Sequence, residues 1–268
     1  MTQKLLNQYE NEYSTNAFIQ FEAAEKLVEF AQPIIPPATN ILDVGCGSGK
    51  VSQYIFQSLK ANSLHGIDQA HAMIEMAMKS TDDPDISYSQ VAIESFSSSK
   101  KYDFIFSNSS FQWFSDYNQA LASIQNCLTN SGYFFIQSSY KQRWCPEFLD
   151  IIESLKEKHA YINDLMSNHH FPCMHLENKS DYEHFLSRHG FLTKKIKTHD
   201  FVYTLSPEKV MQVFNSGPVK AYTSSQFYNE DTCAKSIEMF YSAFQKEVIN
   251  YHSHTVTYPR IFIQCQVR

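Results

Sequence analysis

The run Asn40-Ile-Leu-Asp-Val-Gly-Cys-Gly-Ser-Gly-Lys50, followed by Leu64-His-Gly-Ile-Asp68, constrains the fold more than any other part of the chain. Ile41, Leu42 and Val44 make a short apolar strand ending in Gly45, Gly47 and Gly49, after which Val51, Tyr54, Ile55 and Leu59 recur at helical spacing. Glycines at such a strand-to-helix turn allow positive φ and let a ligand approach the backbone with no Cβ in the way. The N–H groups that open the next helix can then receive a carboxylate. Leu64 to Ile67 reads as a second strand, and Asp68 falls at its end, where a doubly wound sheet presents an acid to ribose hydroxyls.

Two common nucleotide motifs do not fit. Lys50 stands where the dinucleotide fingerprint needs its third glycine, and no phosphate-cradling GxxxxGK[ST] loop is present. Strands and helices alternate through Ser139, the pattern of a parallel sheet. Ahead of it, Leu5 to Phe30 reads as one or two helices with Phe18, Phe21, Ala24, Leu27 and Val28 on an apolar stripe, ended by Pro33, Pro36 and Pro37. Beyond it, Glu147 to Tyr161 reads as an amphipathic helix, Asn163 to Asn178 as a loop rich in His and Met, and Ser180 to His189 as a returning helix. Phe191 to Tyr203 and Thr255 to Val267 alternate as two late strands, with Pro207 to Asn215 and Asp231 to Tyr251 helical between them.

Asp43-Val-Gly-Cys-Gly-Ser-Gly49 resembles the first motif of class I S-adenosylmethionine-dependent methyltransferases, and Asp68 matches their ribose-binding acid. Tyr102-Asp-Phe-Ile-Phe-Ser-Asn108 is similar to their fourth strand. Leu128-Thr-Asn-Ser-Gly-Tyr-Phe-Phe-Ile136 is similar to their turn into the fifth, although Asn130 and Ser131 replace the usual Pro and first Gly. Ser107-Asn108 with Gln112-Trp113 resembles the small-molecule carboxyl methyltransferases, namely the trans-aconitate, malonyl-carrier-protein and juvenile-hormone acid enzymes. Tyr13-Ser-Thr-Asn-Ala-Phe-Ile-Gln20 looks like the N-terminal helix by which the latter two cover the cofactor, and Tyr258 to Ile263 like the last strand of the trans-aconitate enzymes. The resemblance implies a Rossmann-like doubly wound α/β fold. Its mostly parallel seven-stranded sheet has an antiparallel last strand and a helical lid. It further implies a cofactor-binding core over residues 1–140, with lid insertions and the last two strands over 141–268.

The resemblance also implies S-adenosylmethionine as cofactor, held by Gln20, Asp43, Gly45, Cys46, Gly47, Gly49, Asp68, Gln69, Ala92, Ile93 and Asn108. Ala92 departs from the pattern, because an acid usually stands there to receive the adenine amino group; backbone atoms of Ala92 and Ile93, or the side chain of Gln90, would border the adenine instead. A sulfonium methyl is already activated, so the protein mainly has to align a nucleophile and exclude water. A carboxylate is ionised at neutral pH and needs no general base. Tyr13 would close over the methionine end, while Gln112 and Trp113 would border the methyl group. Arg143, just after the fifth strand, is the first choice for a cation facing an acidic acceptor, with Lys220 and Tyr222 next; Arg260 and Arg188 read as ordinary surface pairs.

The expected partner is thus a small-molecule or carrier-bound acid. Methylation of a phenol, amine or other metabolite with His169, His170 or His199 as base stays open, as does a cofactor-binding module without catalysis. A net charge of −6 offers no general attraction to nucleic acid. No apolar run approaches the roughly 20 residues of a membrane span, and the polar start of the chain does not read as a signal peptide, so a soluble cytoplasmic protein is expected. The cysteines form no CxxC pair and read as free thiols. His169, His170, Cys173 and His175 form the densest metal-ligand cluster, but neighbouring histidines in a loop point in different directions, so no metal is expected.

Overall fold

The computed structural model describes residues 18–251 and 255–268. Its centre is a seven-stranded sheet in the order β3-β2-β1-β4-β5-β7-β6. The strands are β1 (Asn40–Val44), β2 (Ser63–Asp68), β3 (Ile86–Gln90), β4 (Tyr102–Asn108), β5 (Leu128–Ser139), β6 (Phe191–Thr204) and β7 (Thr255–Val267). β1 pairs in parallel with β2 and β4, β2 with β3, and β4 with β5. β7 enters antiparallel to β5, with Ser139 opposite Arg260 and Gln137 opposite Phe262. The strand order reverses between β1 and β4, and in open sheets of this kind ligands lodge outside the carboxyl ends of the strands at that switch point.

The described helices are α1 (Phe18–Ala31), α2 (Lys50–Leu59), α3 (His71–Lys79), α4 (Tyr117–Cys127), α5 (Pro146–Lys158), α6 (Ala160–Ser167), α7 (Lys179–Arg188), α8 (Pro207–Asn215), α9 (Pro218–Thr223) and α10 (Ala234–Asn250). α4 shows how local sequence and packing combine. The Asp116 carboxylate accepts the N–H groups of Asn118 and Gln119, capping donors that would otherwise be orphaned. Ala120, Leu121, Ile124 and Cys127 form one stripe, buried with Leu42, Val44, Ile105, Phe134 and Ile136 of the sheet and with Tyr182 and Leu186 of α7. Each fully buried large apolar side chain contributes about 1.5–3 kcal/mol, so this stripe holds the helix on the sheet.

The described residues divide into two compact units. One comprises Gln20–Gln142, Met174–His199 and Arg260–Arg268; the other comprises Arg143–Cys173 and Asp200–Pro259 together with residues 18–19. The second is built on rings. Phe214 stacks on Phe244 at 4.2 Å, Phe148 meets Phe214 edge-on at 5.3 Å, and Trp144 stacks on Phe171 at 5.9 Å. Glu147 ties the start of α5 to β7 by accepting both the N–H and the hydroxyl of Thr257.

Several local expectations change. The helix expected from Glu147 to Tyr161 is two, broken at His159, which is extended at φ −137° and ψ 107°. α6 then runs to Ser167, so the first residues of the expected loop from Asn163 are helical, and α9 is an added helix. Of the segment expected to be helical from Leu5, α1 covers the described part. Among the described residues no helix is long and apolar enough to cross a membrane, and no three His, Cys, Asp or Glu side chains are grouped to hold a metal ion.

Candidate functional site

The turn after β1 is shaped by its glycines. Gly45, Gly47 and Gly49 have φ of 75°, 55° and 82°, in the left-handed region that costs any residue with a Cβ. Gly45 has a second constraint, since a Cβ there would lie 2.3 Å from Cβ of Ser110. The turn is anchored to β2, because Ile67 carbonyl oxygen accepts from Gly45 N–H at 2.8 Å and from Cys46 N–H at 3.0 Å. Asp68 closes the arrangement. Its Oδ2 accepts Gly47 N–H at 3.1 Å and its Oδ1 accepts Ala70 N–H at 2.9 Å, so one carboxylate holds the β1 turn and the approach to α3 together.

Asp43 lies beneath this turn rather than in it. It is fully buried, and its Oδ2 accepts the Ser52 hydroxyl at 2.6 Å. Burial raises its pKa to about 6; the Ser52 hydrogen bond opposes this, and the charge of Asp68 adds to it. Cys46 is also buried, and burial pushes its thiol well above the usual range, followed by the charges of Asp43 and Asp68. On the β3 side, Ile93 is buried and Ala92 half-buried. The Gln90 side chain donates to the Gln69 carbonyl at 3.3 Å and lies 3.0 Å from Nδ1 of His71, which joins the ends of β2 and β3.

The loop after β4 forms the other side of the switch point. Ser110 Oγ donates to the Val44 carbonyl at 2.6 Å and lies 2.6 Å from Ser107 Oγ, which packs the loop against the glycine turn. Asn108 is buried; its Nδ2 donates to the Gln20 carbonyl on α1 at 3.0 Å, and its Oδ1 has no hydrogen-bond partner among the described residues. Gln112 was expected to border a reacting methyl group, yet its amide is committed within the protein. Its Nε2 donates to Ser109 carbonyl oxygen at 2.9 Å and its Oε1 accepts Ser138 Oγ–H at 2.9 Å. This makes it a brace between the ends of β4 and β5. Trp113 is half-buried beside it.

The other sequence candidates differ in their surroundings. Arg143 is exposed and ion-paired with Asp150, with a further hydrogen bond to the Pro146 carbonyl, so it serves the first turns of α5. Tyr222 is buried among rings, and burial pushes its phenol far above the usual range. Arg260 is no surface residue; it is 4% exposed within β7, opposite Ser139 at the end of β5. Tyr13 lies outside the described residues. The histidine cluster is dispersed as well. His169 Nε2 faces the Ala221 carbonyl at 2.8 Å, His170 Nε2 faces Asn229 Oδ1 at 2.8 Å, and His175 Nε2 lies 2.7 Å from Ser139 Oγ.

The sequence reading weighed His175 only within a metal-ligand cluster and passed over Gln137, Ser138 and Ser139. Their signal was the abrupt change from Tyr133-Phe-Phe-Ile136 to Gln137-Ser-Ser139 at the carboxyl end of an apolar strand. Gln137 is fully buried; its Oε1 accepts Ser109 Oγ–H at 2.8 Å, while its Nε2 has no hydrogen-bond partner among the described residues. His175 is held neutral. Burial and, second, the positive charge of Arg260 lower its pKa to about 3.

A mostly parallel sheet with this strand order, a glycine turn after β1 and an acid ending β2 define a nucleoside-binding α/β protein. A methyltransferase domain family matches residues 35–216, and the chain belongs to that family. Among relatives, a malonyl-acyl-carrier-protein O-methyltransferase of Ilyobacter polytropus is 34% identical over 121 residues, 45% of each chain. Another enzyme of that name, from Calditerrivibrio nitroreducens, is 24% identical over 220 residues, 82% of this chain and 79% of that protein. Among solved structures, a SAM-dependent methyltransferase of Thiobacillus denitrificans, crystallised with S-adenosyl-L-homocysteine, superposes with a TM-score of 0.55. It is 13% identical, and the match covers 92% of this chain and 91% of that one. In family and in fold, the chain stands with the S-adenosylmethionine-dependent methyltransferases.

Proposed function

We propose that the protein transfers a methyl group from S-adenosylmethionine to the carboxylate of a small-molecule or carrier-bound acid. The residues present suit this donor. The glycine turn and the first N–H groups of α2 offer donors to its carboxylate. The buried Oδ1 of Asn108, with no hydrogen-bond partner among the described residues, is an acceptor of the kind an α-ammonium requires. Asp68 still has a lone pair on each oxygen for ribose hydroxyls after accepting two backbone N–H groups. Ala92 and Ile93 would border the adenine. Once bound, the donor supplies a methyl group already activated by positive sulfur.

The observation that carries the carboxylate reading is the chemistry of the groups at the ends of β4 and β5. Asn108, Gln112, Trp113, Gln137, Ser138 and Ser139 are amides, hydroxyls and an indole, none of which takes a proton at neutral pH. His175, the imidazole bonded to this set among the described residues, is too weak a base at a pKa of about 3. A phenol or ammonium acceptor would need its proton removed, whereas a carboxylate arrives ionised. The protein's own work is then placement: the Gln112–Ser138 and Ser109–Gln137 bonds fix the two strand ends relative to each other. The names of the malonyl-carrier-protein relatives support the same reading.

The test is the lability of the product. Purified protein is incubated with methyl-labelled S-adenosylmethionine and a panel of carboxylic acids, phenols and amines. The expected label is released as methanol by mild base, as from an ester; a base-stable product would overturn the carboxylate reading.

A further inference from the structure

We infer that Gln137 Nε2 holds the acceptor's carboxylate by the oxygen that is not methylated, a role that rests on the carboxyl-methyltransferase reading and names the group that orients its acceptor.

The register sets Gln137 beside the methyl-donor site. Side chains alternate along a strand, and registered partners on parallel strands point the same way. Gln137 on β5 is opposite Asn108 on β4, so the two amides share a face at the carboxyl ends of their strands. Deeper in the sheet that face carries Phe104, Phe106 and Phe135, whose rings stack on one another. The change from rings to amides falls at the end where ligands of such sheets bind. Counting outward from β1 and its glycine turn, Asn108 stands one strand away and Gln137 two, about 10 Å in all.

The Gln137 amide is locked on one side and unspent on the other. Ser109 donates to Gln137 twice, from its backbone N–H to the carbonyl at 2.9 Å and from its hydroxyl to Oε1 at 2.8 Å. In this arrangement Ser109 has a φ of 57°, and its own carbonyl accepts Gln112 Nε2 at 2.9 Å. Left-handed angles are uncommon for residues with a Cβ and cluster at active sites and ligand clamps. The latch also aims the amide: with Oε1 on Ser109 the hydroxyl proton has an acceptor, and turning the amide over would strand it.

Nε2 is left fully buried with no hydrogen-bond partner among the described residues, and the lone pairs of Asn108 Oδ1 do not serve it, since that oxygen has no partner there either. A buried N–H donor is satisfied only by a lone pair. The methionine end of the methyl donor does not supply one, because its ammonium has none and its carboxylate is matched to the N–H groups of the glycine turn and α2. An acceptor carboxylate does, and hydrogen bonds to an ionised oxygen are the stronger kind. Its other oxygen then forms the bond to the methyl carbon while the carbon–sulfur pair leaves with sulfur. The oxygen on Gln137 becomes the ester carbonyl.

The experiment uses hexanoate, glutarate and trans-aconitate with the wild type, Gln137→Met and Ser109→Ala. Calorimetry measures S-adenosylhomocysteine binding and then acid binding to the loaded protein, and label transfer measures turnover. Gln137→Met keeps the side chain's length without its amide. It should raise the Kd and KM of the acids by about tenfold or more, the scale of a hydrogen bond to a charged group. Because that bond is made both before and during transfer, kcat and S-adenosylhomocysteine affinity should stay within about threefold. Ser109→Ala, which unlocks the amide but keeps Nε2, should weaken acid binding by a smaller factor. Unchanged acid binding in Gln137→Met overturns the assignment, as does an equal loss of acid and S-adenosylhomocysteine affinity, or a wild type that binds none of the three acids. Should Gln137→Met not fold, Ser109→Ala decides by the same criteria. Base-stable product with Gln137-dependent acceptor binding would sink the carboxylate reaction and leave the N–H contact standing; base-labile product with an unchanged KM in Gln137→Met would sink the contact alone.

Discussion

The switch-point region and the ring-built unit are held together by opposite means. At the switch point the turn after β1 is tied by directed hydrogen bonds, such as Ser110 Oγ–H to the Val44 carbonyl and Gly47 N–H to the Asp68 carboxylate, and it needs backbone angles that side chains resist. In the unit of Arg143–Cys173 and Asp200–Pro259, Phe148, Phe214, Phe240 and Phe244 are buried against one another. Directed bonds and unusual φ values tolerate few residue types. Ring packing tolerates many sequences of similar volume. One region can therefore keep a donor site constant while the other varies.

The largest expected effect tests that contrast directly. Gly45→Ala combines a left-handed φ with a Cβ 2.3 Å from that of Ser110, and strain plus overpacking should cost about 2 to 5 kcal/mol in urea unfolding. Phe214→Leu should cost about 1 kcal/mol and leave S-adenosylhomocysteine affinity intact. Equal costs for the two would break the comparison.

Next in size is the pH dependence from Asp43. Its pKa is raised to about 6 by burial, so the folded state holds that proton more tightly than the unfolded chain. The resulting stabilisation is complete below the unfolded value near 4 and is lost as the pH rises through 6. Unfolding free energies from pH 4 to 7 should show the wild type losing on the order of 3 kcal/mol relative to Asp43→Asn. Parallel curves for the two proteins would mean that the carboxylate is compensated in the fold.

The smallest effect concerns Arg143. Its exposed pair with Asp150 is worth at most about 1 kcal/mol. Arg143→Ala should therefore shift stability by less than that and change the KM for every acceptor alike. A rise confined to acidic acceptors would return Arg143 to the role its sequence position suggested.

Legibility followed the same division. The glycine turn, the acid at the end of β2 and the alternation of strands and helices were readable because each demands a residue type at a set spacing. The break at His159 was not, since neither Gly nor Pro marks it. Arg260 was misread for a related reason. β7 is buried continuously from Tyr258 to Cys265, so its polar residues do not mark a solvent face. Gln112 was legible as a residue of the loop beyond β4, but the bonds its amide completes, from Ser138 and to Ser109, are revealed by no one-dimensional pattern.

Asp68 carries a consequence for how affinity at this site is apportioned. Because its two oxygens each secure a backbone N–H from a different segment, shortening it perturbs the scaffold and any sugar contact simultaneously. A weakened alanine variant would thus overstate what the hydroxyls contribute. The clean subtraction lies on the other molecule: a 2′-deoxy nucleoside against the intact protein removes one interaction and leaves the architecture alone.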